Sequence, residues 1–191
     1  MIETFIKKTR EPQPGDLQVY EELKRLLNGS VIYHCGPVVS GLEASLPFPG
    51  LTAVTGPSGC GKSTLLAALS GELAPLDGAV LVGGRELADL DPDEWRRRVA
   101  GSPQRPWLTA GSIAESLRVG APASTDAQLW RAREQVALAD VVRRLPQGLE
   151  HPLGEDGAGL SAGQRARLAL ARVVLADRPY VLLDEPTAHL D

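Results

Sequence analysis

The chain has 191 residues, 43% hydrophobic and 23% charged, with a net charge of −4 and a pI near 5.5, which suits one domain with a real core or one domain plus an appended segment. The acidic balance excludes a large phosphate-backbone footprint, so no nucleic-acid partner is expected, and no run approaches the ~20 apolar residues that cross a bilayer. Cys35 and Cys60 have neither metal-type spacing nor the density of an oxidised scaffold.

The first residues, Met1 to Lys8, lack an apolar h-region, so no cleaved signal peptide is expected and the chain reads as cytosolic. Lys7 to Gly15 is charged and carries two prolines, the composition of an arm or linker. Leu17, Tyr20, Leu23 and Leu27 recur at helical spacing, and Asn28-Gly29 stops them, which predicts a short amphipathic helix over 16–27. Residues 1–30 are therefore set apart from a domain covering 31–191.

Val31 to Tyr33 and Leu46 to Phe48 are brief strand candidates, and Leu51 to Thr55 a buried one. The last runs into a glycine-rich turn and then an apolar helix predicted over Ser63 to Leu73, the context a phosphate loop requires. Gly56, Pro57, Ser58, Gly59, Cys60, Gly61, Lys62, Ser63 and Thr64 match G-x-x-x-x-G-K-[ST] in full. The glycines let successive N–H groups turn inward onto phosphate oxygens, and the helix start adds unpaired N–H groups and positive potential. Lys62 is expected on the β- and γ-phosphates and Ser63 on Mg²⁺. The motif by itself specifies a nucleotide site and no class of NTPase.

Ala79 to Val82 with Gly83-Gly84 suggests a hairpin or edge strand, and Asp91-Pro92-Asp93-Glu94 a helix start with acids at the positive dipole end. The basic cluster Arg96 to Arg98 reads as a solvated helix face. Gln104 lies in a proline-flanked loop, where a neutral amide suits Mg²⁺ and an attacking water. A helical stretch spans Ser112 to Leu145 with a start near Ser124-Thr125-Asp126, and a glycine-rich loop covers Gly154 to Gly159. Leu160 to Gln164 opens a helix running to Ala176. Ser161 and Gln164 have capping-box spacing, and the same helix start, with Gly163 beside it, also suits an anion. A phosphate there would be one held by a second copy or a partner domain.

Tyr180 to Leu183 is an apolar strand that delivers Asp184 and Glu185. Asp184 suits a water-bridged or outer-sphere Mg²⁺ contact, and Glu185 a general base; a helix N-cap with a neighbouring acid, before Pro186, is the equal alternative. His189 reads as loop chemistry rather than a ligand.

Together these residues resemble the nucleotide-binding domain of ABC transporters over Tyr33 and about Val38 to Asp191, with the adenine-stacking aromatic, phosphate loop, glutamine loop, LSGGQ signature, carboxylate strand and D-loop matched by Tyr33, Gly56 to Thr64, Gln104, Leu160 to Gln164, Val181 to Glu185 and Ala188 to Asp191. The resemblance implies an α/β P-loop NTPase: a RecA-like core sheet flanked by helices, with an inserted helical subdomain at about 105–165. It also implies ATP and Mg²⁺ as cofactors and a head-to-tail dimer with a second nucleotide-binding domain, whose ATP would meet Ser161, Gly163 and Gln164. A transmembrane exporter domain would complete the assembly, placing the chain at the cytoplasmic face of the inner (plasma) membrane. In that reading Glu185, Gln104 and Lys62 are catalytic, and Ser63, Gln104 and Asp184 hold the metal.

Ser102 to Leu117 and Gly154 to Gly159 look like the exporter form. The phosphate loop and Leu-Ser-Ala-Gly-Gln are similar to bacterial heterodimeric exporters of cysteine and glutathione, the thiol-reductant systems linked to cytochrome bd assembly. Ala162 stands where the family has glycine, and the switch histidine and closing strands would lie beyond Asp191, so weak or no turnover is expected of this chain alone. Val31 to Val38 also resembles a segment of fumarase-type hydro-lyase subunits, which would make residues 1 to about 38 foreign; two cysteines do not supply the iron–sulfur set of that chemistry. Two other readings are a non-catalytic ATP-binding fragment and a soluble ABC ATPase acting on DNA or ribosomes. The latter lacks its coiled-coil insertion or basic linker here.

Overall fold

The computed structural model describes residues 31–32, 46, 50–54, 56, 58–75 and 78–186. The helix expected over 16–27, Tyr33, Cys35, Pro57 and the segment Thr187 to Asp191 lie outside the described residues. The chain divides into two units, Met1–Gly101 with Arg178–Asp184 and Ser102–Asp177 with Glu185–Asp191.

The first unit is built on a sheet whose strands run in the order β1 (Val31–Ile32), β7 (Tyr180–Leu183), β4 (Val99–Ser102). β1 and β7 are parallel, with Val31 opposite Val181 and Ile32 opposite Leu182. Val181, Leu182 and Leu183 are all buried, as a central strand covered on both faces requires. Helix α1 (Lys62–Ser70) is shorter than the expected 63–73 because Gly71 takes the left-handed conformation, φ +80°, and its N–H closes the last turn on Ala67 and Ala68. Helix α2 (Pro92–Arg98) starts as expected: the Asp91 carboxylate accepts from Asp93 N at 2.7 Å and Glu94 N at 3.1 Å. These two backbone bonds hold the Asp91 carboxyl below its ordinary pKa. Trp95 fastens α2 to its surroundings, donating from Nε1 to Leu69 O at 3.2 Å and meeting Tyr180 with ring centroids 5.0 Å apart. The solvated-face reading of the arginines holds. Arg96 pairs with Asp93 at 2.6 Å and Arg98 with Glu94 at 2.5 Å, all exposed and each pair worth only about 0.2–1 kcal/mol.

The hairpin around Gly83-Gly84 is present as β2 (Leu81–Val82) and β3 (Arg85–Glu86), with Leu81 opposite Glu86. Of the strand expected at 51–55, Thr55 lies outside the described residues, and the other four form no continuous strand among the described residues. Thr52 makes a single bridge, and Leu51, Ala53 and Val54 join no ladder, although Thr52 and Val54 are buried and Ala53 is exposed. The alternation of an extended segment is there; the consecutive pairings that make a strand are not. Leu46 is likewise not in a strand.

The second unit is mainly helical. The stretch expected from Ser112 to Leu145 is three helices, α3 (Ile113–Arg118), α4 (Asp126–Gln135) and α5 (Ala139–Arg144), followed by α6 (Ala162–Ala176). Ser112, Thr125 and Ser161 each complete a reciprocal capping box, with Glu115, Gln128 and Gln164. The break between α4 and α5 falls where Ala137 adopts φ +54°, which no helix continues through. Strands β5 (Gly111–Ser112) and β6 (Pro152–Leu153) pair antiparallel. Leu108, Ile113, Leu117, Leu129, Leu138, Val142 and Leu168 form the core, each fully buried side chain contributing about 1.5–3 kcal/mol of transfer free energy.

Candidate functional site

In the first unit the turn Ser58–Gly61 leads directly into α1, so the backbone N–H groups of the first helical turn open onto the loop. Gly61 is the N-cap, in the left-handed region and without any side-chain cap. Position N-cap is thus left clear for an anion instead of being closed by a serine or aspartate. Lys62 Nζ donates to Gly56 O at 3.3 Å, folding the side chain back over the loop it belongs to. Ser58, Gly59, Ser63 and Thr64 are exposed, while Gly56, Cys60, Gly61 and Lys62 are half-buried.

The strand end reaches this loop. The Ser63 hydroxyl donates to Asp184 Oδ2, joining residues 121 apart in sequence, and Asp184 is 9% exposed at the C-terminal end of β7. A hydroxyl and a carboxylate in contact are two hard oxygen ligands, the donor set that Mg²⁺ takes from protein when phosphates and water supply the rest. Among the described residues no cluster of three or more His, Cys, Asp or Glu could hold a metal by itself. The Ser63 and Asp184 oxygens fit Mg²⁺ brought in with a nucleotide.

In the second unit Gln104 and Glu185 meet. Gln104 Nε2 donates to Glu185 Oε2 at 2.6 Å, across 81 residues of sequence. Glu185 holds φ at +47°, uncommon for a residue with a Cβ and a strain of about 1–3 kcal/mol. Asp184 and Glu185 are engaged by Ser63 and Gln104, and the helix that the N-cap alternative would need after Pro186 falls on residues outside the described ones.

The signature segment is a complete capping box. Ser161 Oγ accepts from Gln164 N at 3.2 Å, and Gln164 Oε1 accepts from Ser161 N at 2.9 Å. As an acceptor in the cap, the Ser161 hydroxyl keeps its own proton to donate, so capping and anion binding are compatible. Gly157, just before it, is at φ +71°, and a Cβ there would lie 2.5 Å from Leu108 Cδ1. Only glycine fits that turn.

Of the expected site residues, the structure thus joins Ser63 with Asp184, Gln104 with Glu185, and Ser161 with Gln164. Two arginines escaped the sequence reading. Arg172, on α6, donates from Nε to Ser116 O at 2.6 Å, from Nη2 to Ser116 Oγ at 2.6 Å and from Nη1 to Trp107 O at 2.7 Å. Arg133, on α4, is fully buried: Nε donates to Leu129 O at 2.9 Å, the guanidinium lies 3.8 Å from the Trp130 ring centroid, and Nη1 and Nη2 have no hydrogen-bond partner among the described residues. For Arg172 the available signal was a charged residue inside an apolar run, between Ala171 and Val173; Arg133, between Ala132 and Glu134, carries no such signal.

Comparison with known proteins gives concordant results. The family described as ABC transporter matches residues 39–188. The glutathione/L-cysteine transport system ATP-binding/permease protein CydC of Bacillus subtilis is 36% identical over 183 residues, 95% of this chain and 32% of the relative. The corresponding CydD protein of Escherichia coli is 37% identical over 195 residues, 100% of this chain and 33% of the relative. A bacterial Atm1-family ABC exporter solved with ATP bound aligns at a TM-score of 0.68 with 33% identity, over 71% of this chain and 24% of that one. The chain spans about a third of the length of the curated relatives it matches.

Proposed function

The chain belongs to the ABC transporter family, in whose ATP-binding domain it lies, and on that premise we propose that it binds MgATP and hydrolyses it to power export across a membrane. The observation that carries this reading is the Ser63–Asp184 contact, which joins the phosphate loop to the strand end.

In the proposed reaction a water oxygen bonds to the γ-phosphorus as the bond to the β,γ-bridging oxygen breaks, giving ADP and phosphate. Lys62 places its ammonium against the β- and γ-oxygens. Ser63, Asp184 and Gln104 are the residues that would hold Mg²⁺. When bound, that ion neutralises charge on the phosphate oxygens. Glu185 takes the proton of the attacking water, and Gln104, already hydrogen-bonded to it, orients the carboxylate. Ser161, Gly163 and Gln164 face the ATP of a second nucleotide-binding domain in a head-to-tail dimer. Tyr33 stacks on adenine, and Pro57 completes the loop.

The energy would move membrane-spanning segments of an exporter, which puts this domain at the cytoplasmic face of the membrane. No helix among the described residues is long and apolar enough to cross one. Small thiols are the cargo class favoured, because the relatives named for glutathione and L-cysteine transport combine 36% and 37% identity with alignment over 95% and 100% of the chain, against 32% for a lipid A-core flippase that also spans it.

The test is steady-state hydrolysis by the protein assembled with its complementary domain. Glu185→Gln is expected to lower turnover by about 10²- to 10⁴-fold while leaving ATP affinity in place. Unchanged turnover would remove Glu185 from the base role.

A further inference from the structure

Arg172 occupies a position that neither the phosphate loop nor the signature explains. It lies 11 residues after Ser161 on α6, the helix whose start carries the signature. Its guanidinium is divided between two other elements. Nε and Nη2 both end on Ser116, a fully buried residue of α3, and Nη1 ends on the carbonyl of Trp107. The Trp107 carbonyl is three residues along the chain from Gln104, in a segment without helix or strand of its own from Pro103 to Ala110. Such a segment has no ladder to fix it, so its place is set by side chains that reach its backbone groups. Leu108, buried in the core, holds it on one side of Trp107. The Trp107 ring does not contribute, being 67% exposed, which leaves the carbonyl as the point of attachment.

We infer that Arg172 is a positioning residue for the proton-accepting glutamate: it fixes the Trp107 carbonyl, and with it the segment that aims the Gln104 amide at Glu185. The path is continuous in hydrogen bonds and short backbone, from Arg172 Nη1 to Trp107 O at 2.7 Å, along the chain to Gln104, then from Nε2 to Glu185 Oε2 at 2.6 Å. Because Arg172 belongs to α6, the helix that starts at Ser161 and the glutamine that holds the base are tied to one planar group. A guanidinium suits this task because its donors form a rigid fork; an ammonium keeps the charge and cannot serve three acceptors at fixed angles. A base carboxylate with φ at +47° also needs external restraint to stay in place.

The inference rests on the reading of Glu185 as the base, and a double-mutant cycle separates the two. In the protein assembled with its complementary domain, kcat and KM for ATP are measured for Arg172→Met, Gln104→Ala, the double variant and Glu185→Gln. Arg172→Met is expected to lower kcat about tenfold or more, since small misplacements of a catalytic group have large kinetic effects, with KM changed less than about threefold. In the Gln104→Ala background the same substitution should lower kcat by less than about twofold, because its route to Glu185 is already cut. Equal fold losses in both backgrounds, or a rise in KM at constant kcat, would overturn the inference. If Arg172→Met does not fold, Arg172→Lys takes its place in the cycle with the same two outcomes. A Glu185→Gln variant of normal turnover would instead defeat the base reading, whatever the cycle shows.

Discussion

The Ser63 hydroxyl donates to Asp184 Oδ2, so the first turn of α1 and the end of β7 meet through one hydrogen bond between residues 121 apart. If that pair is the protein's share of a Mg²⁺ site, Asp184→Asn should raise the Mg²⁺ concentration needed for half-maximal ATP binding by about 10- to 100-fold, as loss of a metal-orienting group does. Binding of ATP without the cation should change little. A Mg²⁺ titration at fixed nucleotide reads both, and an unshifted midpoint would exclude Asp184 from the site.

Ser161 separates capping from anion recognition. Ser161→Asp keeps an N-cap acceptor for Gln164 N, so the thermal midpoint should stay close to that of the parent. It also puts a negative charge where a phosphate is proposed to sit, and turnover with the complementary domain should fall by at least about tenfold, roughly 1.4 kcal/mol. Ser161→Ala loses the cap, at about 1 kcal/mol of stability. Equal activity of Ser161→Asp and the parent would confine Ser161 to its structural role.

Arg133 is a stability liability at neutral pH. Burial, with Arg143 adding a like charge, lowers its pKa from the ordinary guanidinium range to about 10. A depressed cation is disfavoured in the folded state, so the penalty is fully present below about pH 10 and fades as pH rises above it toward the ordinary guanidinium range. Arg133→Met removes the unpartnered Nη atoms, keeps contact with Trp130, and should stabilise the protein by about 1–4 kcal/mol, as replacement of buried charges by packed apolar groups does. Chemical denaturation at pH 7 measures it, and destabilisation would mean the guanidinium has a compensating role.

Gly157→Ala should destabilise by about 1–3 kcal/mol, because the new methyl must displace Leu108 Cδ1 from 2.5 Å while the backbone holds φ +71°. Gly148→Ala is the control, since it shares a positive φ and would meet nothing within 4 Å. If the two variants melt alike, the Leu108 contact is not what demands glycine.

What could be read in the sequence was what short-range chemistry determines. Asp91-Pro92-Asp93-Glu94, Thr125 and Ser161-Gln164 announce helix starts because a cap satisfies its bonds within three residues. The apolar run Tyr180 to Leu183 announces a strand by its composition, and its central place comes only with its partners β1 and β4. Gly71 was passed over as the end of α1 because Leu73 continues the apolar pattern, whereas the left-handed cap overrides it. The break at Ala137 carries no glycine or proline to mark it. Leu51 to Thr55 reads as a buried strand candidate, whereas pairing depends on partners remote in sequence. Arg172 was unreadable for the same reason: its acceptors lie 56 and 65 residues away.

The most direct test of the account is calorimetric titration of MgATP into the protein and into Lys62→Ala. Lys62 caps no helix and joins no core, and its Nζ already points back along the loop to Gly56 O at 3.3 Å. The account predicts saturable binding that the substitution weakens by at least about tenfold, some 1.4 kcal/mol. Equal affinities in the two proteins would contradict it, since the nucleotide would then be held somewhere other than the loop from Gly56 to Thr64.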